Sequence, residues 1–354
     1  MKIAIDESPL VQRHNLAHRV RGTGFYIQNL KISLERYYPK NSYFYFTQRK
    51  KIPRDTELVH YPYFEPFFLS LPLSFSKPSV VTVHDLTPLV FPKYFPSGIR
   101  GLLKWNIQKF NLKKMSAIIT DSESSKKDIM TYANISSNMI HVIYLAASEG
   151  FRRIPDNESV EKTRKKYNLP KEFALYVGDA TWNKNLPRLI KAIKQSNTPF
   201  VMVGKAVQDT HFDRVNPWNE DLVEINKLVE GDKRIVRLGF VPQEDLIALY
   251  NLAKIFVMPS LYEGFGLPLL EAMACGCPVI TTREGSIPEV VGDCAFFVDA
   301  YSIQSIEGGI RNVLGNERLR NSLSKKGLER KKSFSWEKTA RKTQGVYESI
   351  LERK

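Results

Sequence analysis

Short apolar runs without polar alternation recur along almost the whole chain, at residues 2–6, 80–84, 117–121, 141–144, 173–178, 200–204, 235–239, 255–259, 278–282 and 295–298. A strand with one wet face alternates apolar with polar residues. An unbroken apolar strand needs cover on both faces, which a parallel sheet flanked by helices provides. Capped helical stretches fill the gaps, as at Ser122 ahead of residues 126–132 and at residues 242–250. The chain therefore reads as a doubly wound α/β protein.

With 354 residues, 43% of them hydrophobic, it is long enough for two cores. A polar, charged segment at 155–171 separates two series of strands, so a hinge is expected there. The expected division is 1–165, 166–334 and a terminal helix over 335–354. Two Rossmann-like domains are predicted to face each other across a cleft. No run of about 18 apolar residues is present, and residues 1–6 read as a buried strand, not a leader. Three cysteines, Cys275, Cys277 and Cys294, cluster late and lack metal-ligand spacing. The expectation is a cytoplasmic protein. The net charge is +15, with 20 basic against 11 acidic residues in the first 150. Such a surface favours anionic partners: lipid head groups, phosphorylated ligands or nucleic acid.

Chemistry is expected between Ser260 and Pro278. A strand ends at Pro259, a glycine-bearing turn follows, and a short helix begins near Leu267, with Pro268 where a missing N–H costs nothing. Gly276 and Pro278 stop it. Such a helix start offers unpaired amides and a partial positive charge to a diphosphate, and Gly264 and Gly266 let phosphate approach the main chain. Glu263 and Glu271 flank the pocket, one suited to sugar hydroxyls and the other to a ribose; alternatively Glu271 only stabilises the helix start.

This stretch, with Gly264-Phe265-Gly266, Pro268 and Gly276-Cys277-Pro278-Val279, resembles the E-x7-E signature of glycosyltransferase family 4, retaining enzymes of GT-B fold. The resemblance extends to Tyr176-Val177-Gly178-Asp179 with Asn183-Lys184-Asn185-Leu186, to Ser286-Ile287-Pro288-Glu289, to His84-Asp85-Leu86-Thr87-Pro88 and to Phe334-Ser335-Trp336 with Tyr347. It implies a hexosyltransferase that needs no metal: Lys184 and the helix terminus neutralise the leaving diphosphate, Glu263 and His84 hold the donor sugar, and Gly264, Phe265, Gly266, Leu267 and Glu271 bind the donor. Gly22-Thr23-Gly24 resembles the family's glycine loop before a helix, with Gly24 close to donor or acceptor. Many relatives carry an arginine just before the lysine or just after the preceding glycine. Here those positions are Asn183 and Asp179, leaving Arg188 or Lys205 to balance the second phosphate charge.

The resemblance implies a nucleotide-sugar donor as substrate and no cofactor. GDP-mannose is favoured because the His84 and Trp336 regions look most like the mannosyltransferase branch, with UDP-hexoses second. The acceptor would be a glycan or lipid-linked hydroxyl in cell-surface polysaccharide synthesis, with no nucleic acid partner. The terminal helix is expected to pack back on the first domain. Within residues 100–114, Leu103, Ile107 and Phe110 form one helical stripe, with Lys104, Lys109, Lys113 and Lys114 largely elsewhere. That helix either covers the first sheet or docks on an anionic membrane, placing the protein peripherally on its inner face. The proline- and aromatic-rich residues 61–72 form either a packed loop or a lip touching acceptor or lipid. The rival readings are a polyanion-binding protein and a GT-B scaffold without catalysis.

Overall fold

The computed structural model describes residues 1–10, 21–47, 51–155 and 157–352. The chain forms two compact units, Met1–Ala146 with Phe334–Lys354, and Ala147–Ser333. Each holds one six-stranded sheet in which every pairing is parallel.

The first unit contains β1 (Lys2–Asp6), β2 (Ser42–Phe46), β3 (Leu58–Tyr61), β4 (Ser79–Thr82), β5 (Ala117–Thr120) and β6 (Ile140–Val142), in the order β2-β1-β3-β4-β5-β6. Every residue of β3, β4 and β5 is buried, as a sheet covered on both faces requires. Helices α1 (Arg21–Tyr37) and α2 (Gly98–Leu112) belong to this unit.

The second unit contains β7 (Ala174–Val177), β8 (Phe200–Val203), β9 (Ile235–Leu238), β10 (Ile255–Met258), β11 (Val279–Thr281) and β12 (Phe296–Phe297), in the order β12-β11-β10-β7-β8-β9. The order runs outward in opposite directions from the adjacent β7 and β10. That reversal marks the switch point of the sheet, the usual ligand position in a doubly wound fold. Its helices include α3 (Asn157–Lys166), α4 (Leu186–Ser196), α5 (Gln243–Leu252) and α6 (Leu267–Ala274).

At Phe334 the chain returns to the first unit and forms α7 (Trp336–Leu351), packed on α1. The Ser335 hydroxyl caps it by accepting from Lys338 N–H at 3.2 Å. Trp336 meets the rings of Phe25 and Tyr26, with centroids 6.1 and 6.2 Å away. The Tyr347 hydroxyl lies 2.7 Å from Nδ1 of the fully buried His60, whose Nε2 lies 2.9 Å from Thr82 Oγ1. Burial drives the His60 imidazole down to about 3, so it stays neutral.

Three details differ from the sequence reading. The change of unit falls at 146/147 and 333/334, whereas the polar segment expected to hold the hinge forms α3 inside the second unit. Its charge belongs to a helix fixed to α5: Lys166 Nζ and the Tyr167 hydroxyl both donate to Asp245 Oδ2 at 2.7 Å. Gly22-Thr23-Gly24 lies within the first turn of α1, not in a loop ahead of it, and Gly24 is buried. Strands β2 and β3 were absent from the apolar runs. Aromatic β2 is an edge strand with only Phe46 buried, and His60 interrupts β3.

Candidate active site

In the second sheet β7 and β10 are neighbours, with Ile255 opposite Ala174, so the loops that follow them leave the same edge side by side. Asparagines stitch these loops together. Asn183 donates from Nδ2 to the Tyr262 carbonyl at 3.0 Å and accepts Leu261 N–H on its own carbonyl at 2.8 Å. Asn185, in left-handed backbone with φ 60°, donates to the carbonyls of Pro259 at 2.9 Å and Ala300 at 2.6 Å. Its side chain thus bridges loops and does not cap α4. The sequence departure at Asn183 acquires a physical reason: an arginine there would forfeit the stitch to Tyr262.

Between these stitches Lys184 Nζ donates to both oxygens of Glu263, at 2.9 Å to Oε1 and 2.8 Å to Oε2. Ser260 Oγ donates to Oε1 at 2.7 Å. The Glu263 carbonyl accepts from Ser286 Oγ at 2.9 Å. Gly285, at φ +57°, presses so closely that a Cβ there would stand 2.7 Å from that carbonyl, so the position demands glycine. The Lys184 side chain is 22% exposed and that of Glu263 6%, so solvent reaches part of the lysine and little of the glutamate.

From this corner the chain enters α6. Gly266 sits before its first turn at φ +90°, and Pro268 occupies that turn. Gly264, Phe265 and Gly266 are buried, while Leu267 and Pro268 are partly exposed. At the far end Gly276, φ +72°, turns the chain so that Cys277 N–H reaches the Ala272 carbonyl at 2.9 Å. Glu271, one turn into α6, is buried; its Oε2 accepts from the Tyr250 hydroxyl on α5 at 2.9 Å. Burial pushes its carboxyl up to about 7, against the smaller opposing effect of that hydrogen bond. Arg188 is held by Asn185 Oδ1 at 2.9 Å and lies over the Tyr301 ring, and Lys205 is exposed.

In the first sheet β4 and β5 pair with Thr82 opposite Ile119, and the same register carries His84 level with Asp121 just past the strand ends. Their side chains meet, His84 Nδ1 and Asp121 Oδ2 being 2.6 Å apart. The Tyr26 ring stands edge-on to the imidazole with centroids 4.8 Å apart, and its hydroxyl is 3.0 Å from Thr82 Oγ1. Burial pulls the His84 imidazole down, but the Asp121 carboxylate outweighs it, so the ring is held above its ordinary value. Asp121 Oδ1 is buried with no hydrogen-bond partner among the described residues, and the Pro62 backbone also favours the protonated imidazole. The sequence reading found His84 and missed Asp121. Aspartate at the end of the apolar run 117–121, one strand along from the histidine, was the signal available.

The structure thus gathers Lys184, Glu263 and residues 264–267 at one edge of the second sheet, with Glu271 one turn further along α6. His84 stands at an edge of the first sheet, and Gly24 lies in α1. No cluster of three His, Cys, Asp or Glu side chains among the described residues is arranged to hold a metal ion.

Comparison with known proteins agrees with this architecture. Residues 10–147 match the model of Glycosyltransferase Family 4 and residues 159–330 that of Glycosyl transferases group 1. The chain is 31% identical to O-antigen chain mannosyltransferase B of Escherichia coli over 281 residues, covering 77% of this chain and 70% of that protein. It is 33% identical to the serotype-specific mannosyltransferase WbdA of Escherichia coli over 279 residues, covering 74% of this chain and 32% of WbdA, so it spans about a third of that relative. Among solved structures, sucrose-phosphate synthase from Thermosynechococcus elongatus superposes over 100% of both chains with a TM-score of 0.78 at 20% identity. Two parallel sheets, the return of the terminal helix to the first unit and these matches converge: the chain belongs to glycosyltransferase family 4 and has the GT-B fold.

Proposed function

We propose that this glycosyltransferase moves a hexose, mannose before others, from a nucleoside diphosphate sugar to a hydroxyl of a glycan or lipid-linked acceptor, with retention, in cell-surface polysaccharide synthesis. The observation that carries the reading is the Lys184–Glu263 pair, fixed by loops from the two central strands beside the start of α6. The mannose preference is supported by the similarity to two mannosyltransferases of Escherichia coli.

In this reading the α6 amides and the Lys184 ammonium take up charge as the bond between the anomeric carbon and the diphosphate oxygen breaks. Counter-charge preorganised at that point is worth several kcal/mol, about 3–4 for one well-placed donor. The acceptor oxygen attacks from the same face, and its proton passes to an oxygen of the departing phosphate. Glu263 positions sugar hydroxyls, Glu271 serves the ribose, and Gly264 to Leu267 line the diphosphate. His84, oriented by Asp121, contacts a hydroxyl of the sugar.

Thermal-shift measurements with GDP, UDP, ADP and their sugars test the donor assignment, because a ligand bound only by the folded state raises the melting temperature. GDP and GDP-mannose are expected to give the largest shift. A larger response to UDP-hexoses would reassign the base and sugar, and no response to any nucleotide would overturn the reading. Anomeric configuration of the product, read by NMR, tests retention.

A further inference from the structure

Helix α2 is amphipathic in the opposite sense to a helix that covers a sheet. Its buried face consists of Gly101, Trp105, Gln108, Asn111 and Leu112. At 3.6 residues per turn the stripe Ile99, Leu103, Ile107 and Phe110 lies on the other side, and it faces solvent: Ile99 is 80% exposed, Leu103 and Phe110 60% each. Leu102 is exposed beside them. The inward face is secured by polar side chains. Gln108 Nε2 donates to the Phe68 carbonyl and to Ser70 Oγ, both at 2.6 Å, and Asn111 Nδ2 to the Pro72 carbonyl at 3.0 Å. These bonds hold the loop over residues 62–78 against α2, and that loop adds Phe68, Leu69 and Leu73 to the exposed apolar surface.

The charge around this face has one sign. Between Glu65 and Asp121 the sequence carries seven basic residues and a single carboxylate, Asp85. On the helical wheel Arg100 and Lys104 border the apolar stripe on one side, Lys109 and Lys113 on the other. The Lys114 ammonium lies 4.2 Å from the centroid of the Phe110 ring, and that of Lys104 5.3 Å from that of Phe68. Apolar side chains projecting outward between two rows of long cationic ones match an interface with acyl chains below and anionic phosphates at the level of the ammonium groups. No helix among the described residues is long and apolar enough to cross a membrane.

We infer that α2 and the loop beside it dock the protein on an anionic lipid bilayer. The inference stands apart from the donor assignment, since it needs no nucleotide. The test is co-sedimentation of the full chain with vesicles of phosphatidylcholine alone and with about 30% phosphatidylglycerol. Binding to the anionic vesicles and release as salt rises from about 0.1 M to about 0.5 M are expected. Leu103→Ser with Phe110→Ser lowers the partition coefficient at least about tenfold at either salt concentration. Lys109→Glu with Lys113→Glu lowers it most at low salt. All four side chains are partly or fully exposed, and an unchanged melting temperature confirms that both variants fold. Light scattering of the same preparations reports the oligomeric state.

Failure of the wild type to sediment with either vesicle would overturn the inference. So would equal binding by all variants, or a dimer or other protein complex that the serine substitutions dissolve, because the face would then be covered by protein and not lipid. Loss of nucleotide binding with vesicle binding intact would instead count against the proposed function alone.

Discussion

Two pairs of a basic side chain with a carboxylate stand at the carboxyl edges of the two sheets, and they are built alike up to their last bond. In the second unit Lys184 meets Glu263, with side chains 22% and 6% exposed; in the first His84 meets Asp121, at 19% and 4%. Each pair joins residues from neighbouring parallel strands or the loops just after them. The difference lies in satisfaction. Both oxygens of Glu263 are hydrogen-bonded, to Lys184 and Ser260. In the first unit Asp121 Oδ1 has no such partner among the described residues. A buried polar atom without a partner costs about 1–3 kcal/mol, and a hydroxyl that bonds to it recovers that cost. The second unit thus holds a finished ion pair that fixes a cation in place, whereas the first leaves one carboxylate oxygen of its pair unsatisfied.

Breaking the finished pair has the largest expected effect. Lys184→Ala and Glu263→Ala each lower kcat/KM for sugar transfer by roughly two to three orders of magnitude. Glu263→Gln keeps the bond from Lys184 and retains more stability than Glu263→Ala, which leaves the ammonium without its carboxylate. Steady-state kinetics with thermal melts separates the two losses.

Next in size are opposite pH responses at two buried groups, one in each unit. The Glu271 carboxyl is held at about 7, above its ordinary value of 4.5. Its contribution to stability is complete below about 4.5 and is lost as pH rises through about 7, by up to about 3 kcal/mol. Glu271→Gln removes that slope. His60 runs the other way. It is held near 3 against an ordinary 6.5, so its contribution is complete above 6.5 and declines by about 1.4 kcal/mol per pH unit as the unfolded imidazole takes up a proton. Hydrogen exchange at pH 5 and pH 8 should find the amides around His60 in β3 weakened in acid and those around Glu271 in α6 weakened in base. The same sign at both places would contradict these environments.

Asp121→Asn probes the unfinished pair with a smaller effect. It keeps the shape but removes the charge that raises the His84 imidazole, so activity falls roughly tenfold to a hundredfold and the histidine limb of the pH profile moves to lower pH. A loss of stability with an unmoved profile would make Asp121 a structural partner only.

Much of this was legible before any coordinates. Strands buried on both faces announce themselves as unbroken apolar runs, and Gly264, Gly266, Pro268 and Gly276 mark where α6 begins and stops. What escaped depended on pairing across the sheet. Asp121 is unremarkable until the register of β4 with β5 brings it level with His84, and β3 is hidden because His60 needs Tyr347, 287 residues away, to be buried without penalty. Periodicity located the stripe on α2 but not its direction. Only Gln108 and Asn111, polar residues bonded to the neighbouring loop, reveal that the apolar side faces outward.

The central claim is that Lys184, beside the start of α6, receives the departing diphosphate. Calorimetric titration of GDP and GMP into the wild type and Lys184→Ala tests it most directly. The wild type should prefer the diphosphate by about tenfold or more, and the variant should lose that preference while still binding GMP. An undiminished preference for GDP in Lys184→Ala would contradict the account.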